Sequence, residues 1–229
     1  MRSSGLANSQ QGRSGARRLL VVASVGESLI GAGALSWIRL RGLGLEVGAL
    51  VVGSSAGLGA ACLLVLANYF LINAAPPVEP VQAIRRFYQE TLQPLFAEAT
   101  LFDVIGISLA AGVGEELLFR GAIQGEFGLG IASVLFGLAH IGGRRSIVFG
   151  VWVMVMGGVL GSLVPLTGGL LGAVVAHAVY DGVAISYTRW AVPDLARDCV
   201  KLEEVAGSRS GSPGATGDST GSSGDEDGS

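Results

Sequence analysis

Long apolar stretches separated by short polar segments dominate this chain. Residues 19–38, LLVVASVGESLIGAGALSWI, hold one charge, Glu27, and residues 47–72 hold none. Residues 146–190 hold only Asp181 and Arg189 as charges, with an interruption at Pro165-Leu166-Thr167-Gly168-Gly169. A bilayer core of ~30 Å is crossed by roughly 20 apolar residues of helix. The pattern therefore predicts an all-α fold, a polytopic transmembrane helical bundle of about six spans. They are drawn at 19–38, 47–72, 99–121, 129–141, 147–165 and 169–189. The fourth is short for a full crossing, and the reading allows it to be tilted or partly re-entrant.

The polar segments divide the rest of the chain. Residues 1–18, rich in Arg and Ser and without an acid, form a basic N-terminal arm. The transmembrane domain covers 19–190, with a catalytic core at 99–190. Residues 191–229 form a C-terminal segment, read as an acidic disordered tail from 206 because it holds almost nothing to bury. Between spans two and three, Pro76-Pro77 precedes Val81, Ile84, Tyr88, Leu92 and Leu95 at helical spacing. That spacing predicts an amphipathic helix lying at the membrane interface. Small residues recur four apart at Gly53 and Gly57, Gly157 and Gly161, and Gly168 and Gly172, a spacing that lets helices approach closely in lipid.

Composition agrees with this picture. Half the residues are apolar and 14% are charged, against about 25% charged in a soluble domain. Mean hydropathy is +0.56. A net charge of −3 provides no field for a polyanion, so no nucleic-acid partner is expected. Two cysteines, Cys62 and Cys199, are too few for a disulfide framework. The basic residues are arginines apart from Lys201. With the N-terminus inside, six crossings put Arg2, Arg13, Arg17, Arg18, Arg85, Arg86, Arg144, Arg145, Arg189 and Arg197 on the inner side, and Arg39 and Arg41 outside. That asymmetry follows the positive-inside bias. It predicts a multi-pass protein with both termini cytoplasmic, and the Arg-rich, Lys-poor, Gly-rich chain with its short N-terminal arm points to a bacterial or archaeal plasma membrane.

Ionisable groups at membrane depth are costly and mark function. Here they occur in three places. Glu115, Glu116 and Arg120 end the third span. His140 ends the fourth, and His177 and Asp181 lie in the sixth. Both histidines of the chain belong to the set. Glu116 and Arg120 stand i,i+4 with the acid first, the favoured order for a helical ion pair. Glu115 is about 100° around the helix from Glu116, free to face a cavity. His177 and Asp181 also share one helix face. A carboxylate in a partly dry site suits general-base work on water, and imidazoles can position that water or donate to an oxyanion. Glu27 and Asp103 stand apart, each open between a packing role and a substrate path. Read from the residues alone, the set also suits a metal-dependent hydrolase, since Glu and His are zinc donors, although HExxH is absent. Ion-paired packing without chemistry stays open as well.

The order Glu115-Glu116-x-x-x-Arg120, Phe136-x-x-x-His140, His177-x-x-x-Asp181 on successive apolar segments resembles the CPBP family. This family, also called ABI, holds CAAX-processing endopeptidases and bacteriocin-processing or immunity proteins. The resemblance covers roughly 100–190. It implies an intramembrane endopeptidase of glutamic type that requires no metal or other cofactor and hydrolyses a peptide bond of a membrane-associated peptide or protein. Carried over residue by residue, it implies Glu115 as the base that activates water, with Glu116 and Arg120 orienting it. It implies His140 and His177 as the groups that hold the water and stabilise the oxyanion, and Phe136 as an aromatic shaping the substrate pocket. CAAX-cleaving members end the third motif in Asn, an oxyanion donor, where this chain has Asp181. An ionised Asp cannot donate a hydrogen bond, so Asp181 is either protonated or orients an imidazole. A non-catalytic immunity or scaffold protein of the same fold is the main alternative.

Overall fold

The computed structural model describes residues 3–190, with side chains from Arg18 and, beyond Leu19, from Leu20 onward. The acidic tail from 206 lies outside the described residues. Seven helices follow one another with no strand among the described residues: α1 Ser3–Arg41, α2 Leu50–Asn73, α3 Glu79–Phe96, α4 Leu101–Phe127, α5 Leu129–Ala139, α6 Ile147–Thr167 and α7 Leu171–Trp190. The N-terminal arm is no separate element over residues 3–18, because its backbone continues α1.

By length and composition alone, three helices among the described residues suffice to cross a bilayer, Leu20–Arg41, Leu50–Asn73 and Arg144–Thr167, or four if α3 and α4, bent by 115°, count as one; this is fewer than the six drawn from the sequence. The physical reason is informative. The segments that drop out are those that carry the polar residues: α4 holds Glu115, Glu116 and Arg120, α7 holds His177 and Asp181, and α5 has 11 residues. The outer surface is nevertheless apolar. Val22, Leu29, Val51, Leu63, Phe102 and Leu166 are all more than half exposed, a surface that suits lipid and not water.

α2 packs along α7, α5 along α6, and α4 lies between α1 and α7. Glycines set these approaches. A Cβ on Gly57 would strike Gly172 O of α7 at 2.6 Å, and one on Gly112 would strike Ala178 Cβ at 2.8 Å. The small-residue spacing is thus spent on helix contacts, as lipid-embedded packing requires. Gly168 serves a different purpose. It takes φ +71° at the C-terminus of α6, a left-handed position that suits glycine. The loop before α2 is tied to the α6–α7 turn, where Leu170 and Leu171 N–H donate to Glu46 O and Val47 O at 2.9 and 3.0 Å.

α4 begins with a capping box in which Thr100 Oγ1 accepts from Asp103 N–H at 3.2 Å and Asp103 Oδ2 accepts from Thr100 N–H at 2.9 Å. Asp103 therefore serves the helix start. The interior surrounds the middle of α4 and α7, with Phe119, Phe136, Val153, Met156, Leu160, Ala173, Ala176 and Tyr180 in one buried cluster.

The arginines sort by end. Arg145 lies 3.9 Å from Glu90 of α3, the helix that carries Arg85 and Arg86, and Arg189 Nε donates to Ala99 O at 2.6 Å beside it. Arg41 is at the other end, paired with Glu126 at 2.6 Å.

Candidate active site

Glu115 and Glu116 are adjacent in sequence and occupy different environments. The Glu116 side chain is wholly buried, and its Oε1 accepts from Arg120 Nη1 at 2.8 Å and from His177 Nδ1 at 2.7 Å. Arg120, also buried, donates from Nη2 to Gly157 O at 3.1 Å and lays its guanidinium 4.2 Å from the Phe136 ring centroid. That arrangement combines an ion pair, a charge-assisted hydrogen bond and a cation–π contact. It binds α4 to α5, α6 and α7 at one point.

Glu115 instead faces a cavity of about 210 Å³, whose wall includes Phe136, His140, His177 and Asp181. The 100° step between adjacent helix positions separates the two roles, as the spacing predicts. The helix turns from α to π geometry over Leu117–Ile123, directly after the pair. Such π turns inside α-helices often accompany functional sites. Another lies at Tyr88–Leu92 in α3, also against the cavity.

His140 is oriented by its own helix end. Its Nδ1 lies 2.8 Å from Phe136 O. A carbonyl only accepts, so Nδ1 carries the proton. Nε2 then points to Glu115 Oε2, 3.9 Å away. That is too long for a hydrogen bond, and Glu115 Oε2 has no hydrogen-bond partner in the protein although it is buried. His177 is held on both sides, with Nδ1 on Glu116 and Nε2 3.4 Å from Asp181 Oδ2. Nδ1 makes the hydrogen bond, to Glu116, while Nε2 stands in ion-pair contact with Asp181.

Phe136, 1% exposed, is the aromatic hub. Its ring meets Phe119 and His140 at 5.0 Å and the His177 ring edge-on at 5.8 Å. Every residue singled out by the three motifs thus comes to one locus. Glu115, Phe136, His140, His177 and Asp181 line the cavity, while Glu116 and Arg120 stand behind it. Among the described residues, no three or more His, Cys, Asp or Glu are grouped to hold a metal ion.

The motifs miss the roof. α3 supplies Tyr88, Leu92 and Phe96 to the cavity wall. Its apolar face, read above as membrane-directed, is turned inward instead: Val81, Ile84 and Tyr88 are buried in the protein, and Tyr88 Oη donates to Asn68 Oδ1 at 3.1 Å. The 3.6-residue periodicity marks the buried face of a helix. It carries no information on whether lipid or protein covers it. α6 adds Phe149, Val153 and Met156, which no motif marks.

Residues 97–183 match the family model of the type II CAAX prenyl endopeptidase Rce1-like proteins. The matched segment contains all seven residues of the three motifs, and the likeness to CPBP-type proteins holds over it. The uncharacterized protein YpbD of Bacillus subtilis (strain 168) is 29% identical over 89 residues, covering 39% of this chain and 47% of that protein. The aligned part thus spans about half the length of that relative. No solved structure matches the chain. The endopeptidase activity named in that family's description belongs to its members, and the matched segment is less than half of this chain.

Proposed function

We propose that this chain is an intramembrane endopeptidase of glutamic type, in which Glu115 activates the water that attacks a peptide carbonyl. The observation that carries the reading is the 3.9 Å separation of Glu115 Oε2 and His140 Nε2 on the wall of one cavity. Two acceptors at that spacing suit a single water hydrogen-bonded to both, each bond about 2.8 Å. Glu115 takes a proton from that water, the oxygen adds to the carbonyl, and the same proton then passes to the leaving amine. His177, held by Glu116 and Asp181, presents a fixed positive charge to the developing oxyanion. Asp181 orients the imidazole, in keeping with the second of its two alternatives. Glu116 and Arg120 hold the helix that carries Glu115.

The substrate in this reading is a membrane-associated peptide or protein, in contact with the lipid bilayer. The arginine-rich end beside α3 is cytoplasmic, which puts the cavity toward that face of the membrane.

The test is cleavage of a mixed library of membrane-anchored fluorogenic peptides by detergent-purified protein in EDTA, wild type beside Glu115→Gln. Cleavage by the wild type and none by a folded Glu115→Gln variant is the expected result. Cleavage retained in the variant refutes the role of Glu115. Cleavage abolished by EDTA moves the site to metal chemistry. No cleavage by the wild type favours the immunity or scaffold alternative.

A further inference from the structure

Glu27 lies on α1, outside the segment that matches the family model. The sequence sets it apart from the motif residues. The fold brings it to them. α1 and α4 meet at glycines: a Cβ on Gly31 would sit 3.2 Å from Gly114 Cα, and one on Gly114 would run into Glu27 O. The backbone of Glu27 therefore rests on the residue that precedes Glu115. Such backbone contact leaves α1 little freedom to slide, so the position of Glu27 relative to the glutamate pair is set.

Oε2 of the Glu27 side chain is buried and has no hydrogen-bond partner in the protein. A buried carboxylate oxygen without a partner in an apolar helix is costly and marks function by default. The charges it feels most are His177 and Asp181 of α7, and its own charge acts on Glu115 of α4. Those are three of the four acidic and histidine residues of the cavity wall. Glu27 itself does not line that cavity.

We propose that Glu27 is a positioning residue of this site, acting through His177 and Glu115 from behind the cavity wall; this rests on the endopeptidase reading above. Its carboxylate adds to the negative charge that holds the His177 imidazolium in place. It also makes α1 part of the catalytic unit, although the family resemblance starts at α4.

The experiment compares wild type, Glu27→Gln and Glu27→Asp on the library peptide that the wild type cleaves fastest, with thermal unfolding of each in the same detergent. Glu27→Gln is expected to lower kcat about 10- to 100-fold, the size of loss seen when a carboxylate behind a metal-ligating histidine is removed. KM should stay within twofold. Its unfolding temperature should equal or exceed that of the wild type, because a charged oxygen buried without a partner is gone. Glu27→Asp, which keeps the charge, should recover part of kcat. A kcat within twofold of wild type in Glu27→Gln overturns the proposal. A loss of kcat matched by lower unfolding temperature, and equal in both variants, also overturns it, since packing alone would then explain it. If Glu27→Gln does not fold, Glu27→Asp decides: activity near wild type supports the proposal, and a folded but inactive Glu27→Asp overturns it. Absence of wild-type cleavage would refute the endopeptidase reading itself, and the two failures are thereby distinct.

Discussion

Arg120 offers the sharpest test of how the site is held. It is 1% exposed against a fully buried Glu116 at 2.8 Å. At an effective dielectric constant near 20, attraction at that 2.8 Å distance is about 6 kcal/mol before desolvation is subtracted. Desolvation removes several kcal/mol per ion. The pair as a whole therefore adds little net stability, while removing one partner should be severe. Arg120→Met leaves the Glu116 carboxylate in the core with only His177 as partner, and should cost about 3–5 kcal/mol. Glu116→Gln combined with Arg120→Met leaves neither buried charge of the pair. The double variant should be more stable than the sum of the two single losses predicts, by at least ~1 kcal/mol. The assay is unfolding in mixed micelles titrated with SDS, followed by fluorescence of the three tryptophans. Additive losses within ~0.5 kcal/mol would refute the reasoning, because the two side chains would then not be sensing each other.

Other outcomes follow from the packing. Gly114→Ala must push α1 away from α4, at a cost of about 1–3 kcal/mol, whereas Gly106→Ala, with nothing within 4 Å of its Cβ, should leave stability unchanged or raise it by up to about 1 kcal/mol; the same SDS titration compares them. Phe136→Ala should cost about 3–5 kcal/mol and reduce cleavage of any peptide the wild type turns over, since the ring supports both histidines and Arg120. Thr100→Ala removes the α4 cap and should cost about 0.5–2 kcal/mol with kcat per folded molecule retained, which a paired melt and cleavage assay would show. Loss of kcat in a stable Thr100→Ala protein would return Asp103 to the substrate path.

Much of the site is legible in the order of residues alone. Residues four apart on a helix share a face, so Glu116 with Arg120 and His177 with Asp181 pair as their spacing predicts. The single-residue step between Glu115 and Glu116 sends one to the cavity and the other into an ion pair. Those relations depend only on the pitch of one helix. Span counting is less secure, because hydropathy reads the polar residues of α4 and α7 as evidence against burial in lipid. The structure shows them turned inward to a shared cavity.

What the sequence determined by itself is therefore local: helical content, the lipid-facing exterior, the internal geometry of each motif and the CPBP-type resemblance over the last four helices. The tertiary structure decided which helices bring those motifs together. It decided that α3 roofs the cavity, that His177 is held between two carboxylates from different helices, and that the backbone of Glu27 in α1 rests on Gly114 of α4. The contact of His177 with Glu116, for one, joins residues 61 positions apart. Such contacts depend on close approach at glycines such as Gly114, where a missing Cβ lets one backbone touch another. Helix periodicity says which face is apolar; only side-chain interlock between helices says what that face meets.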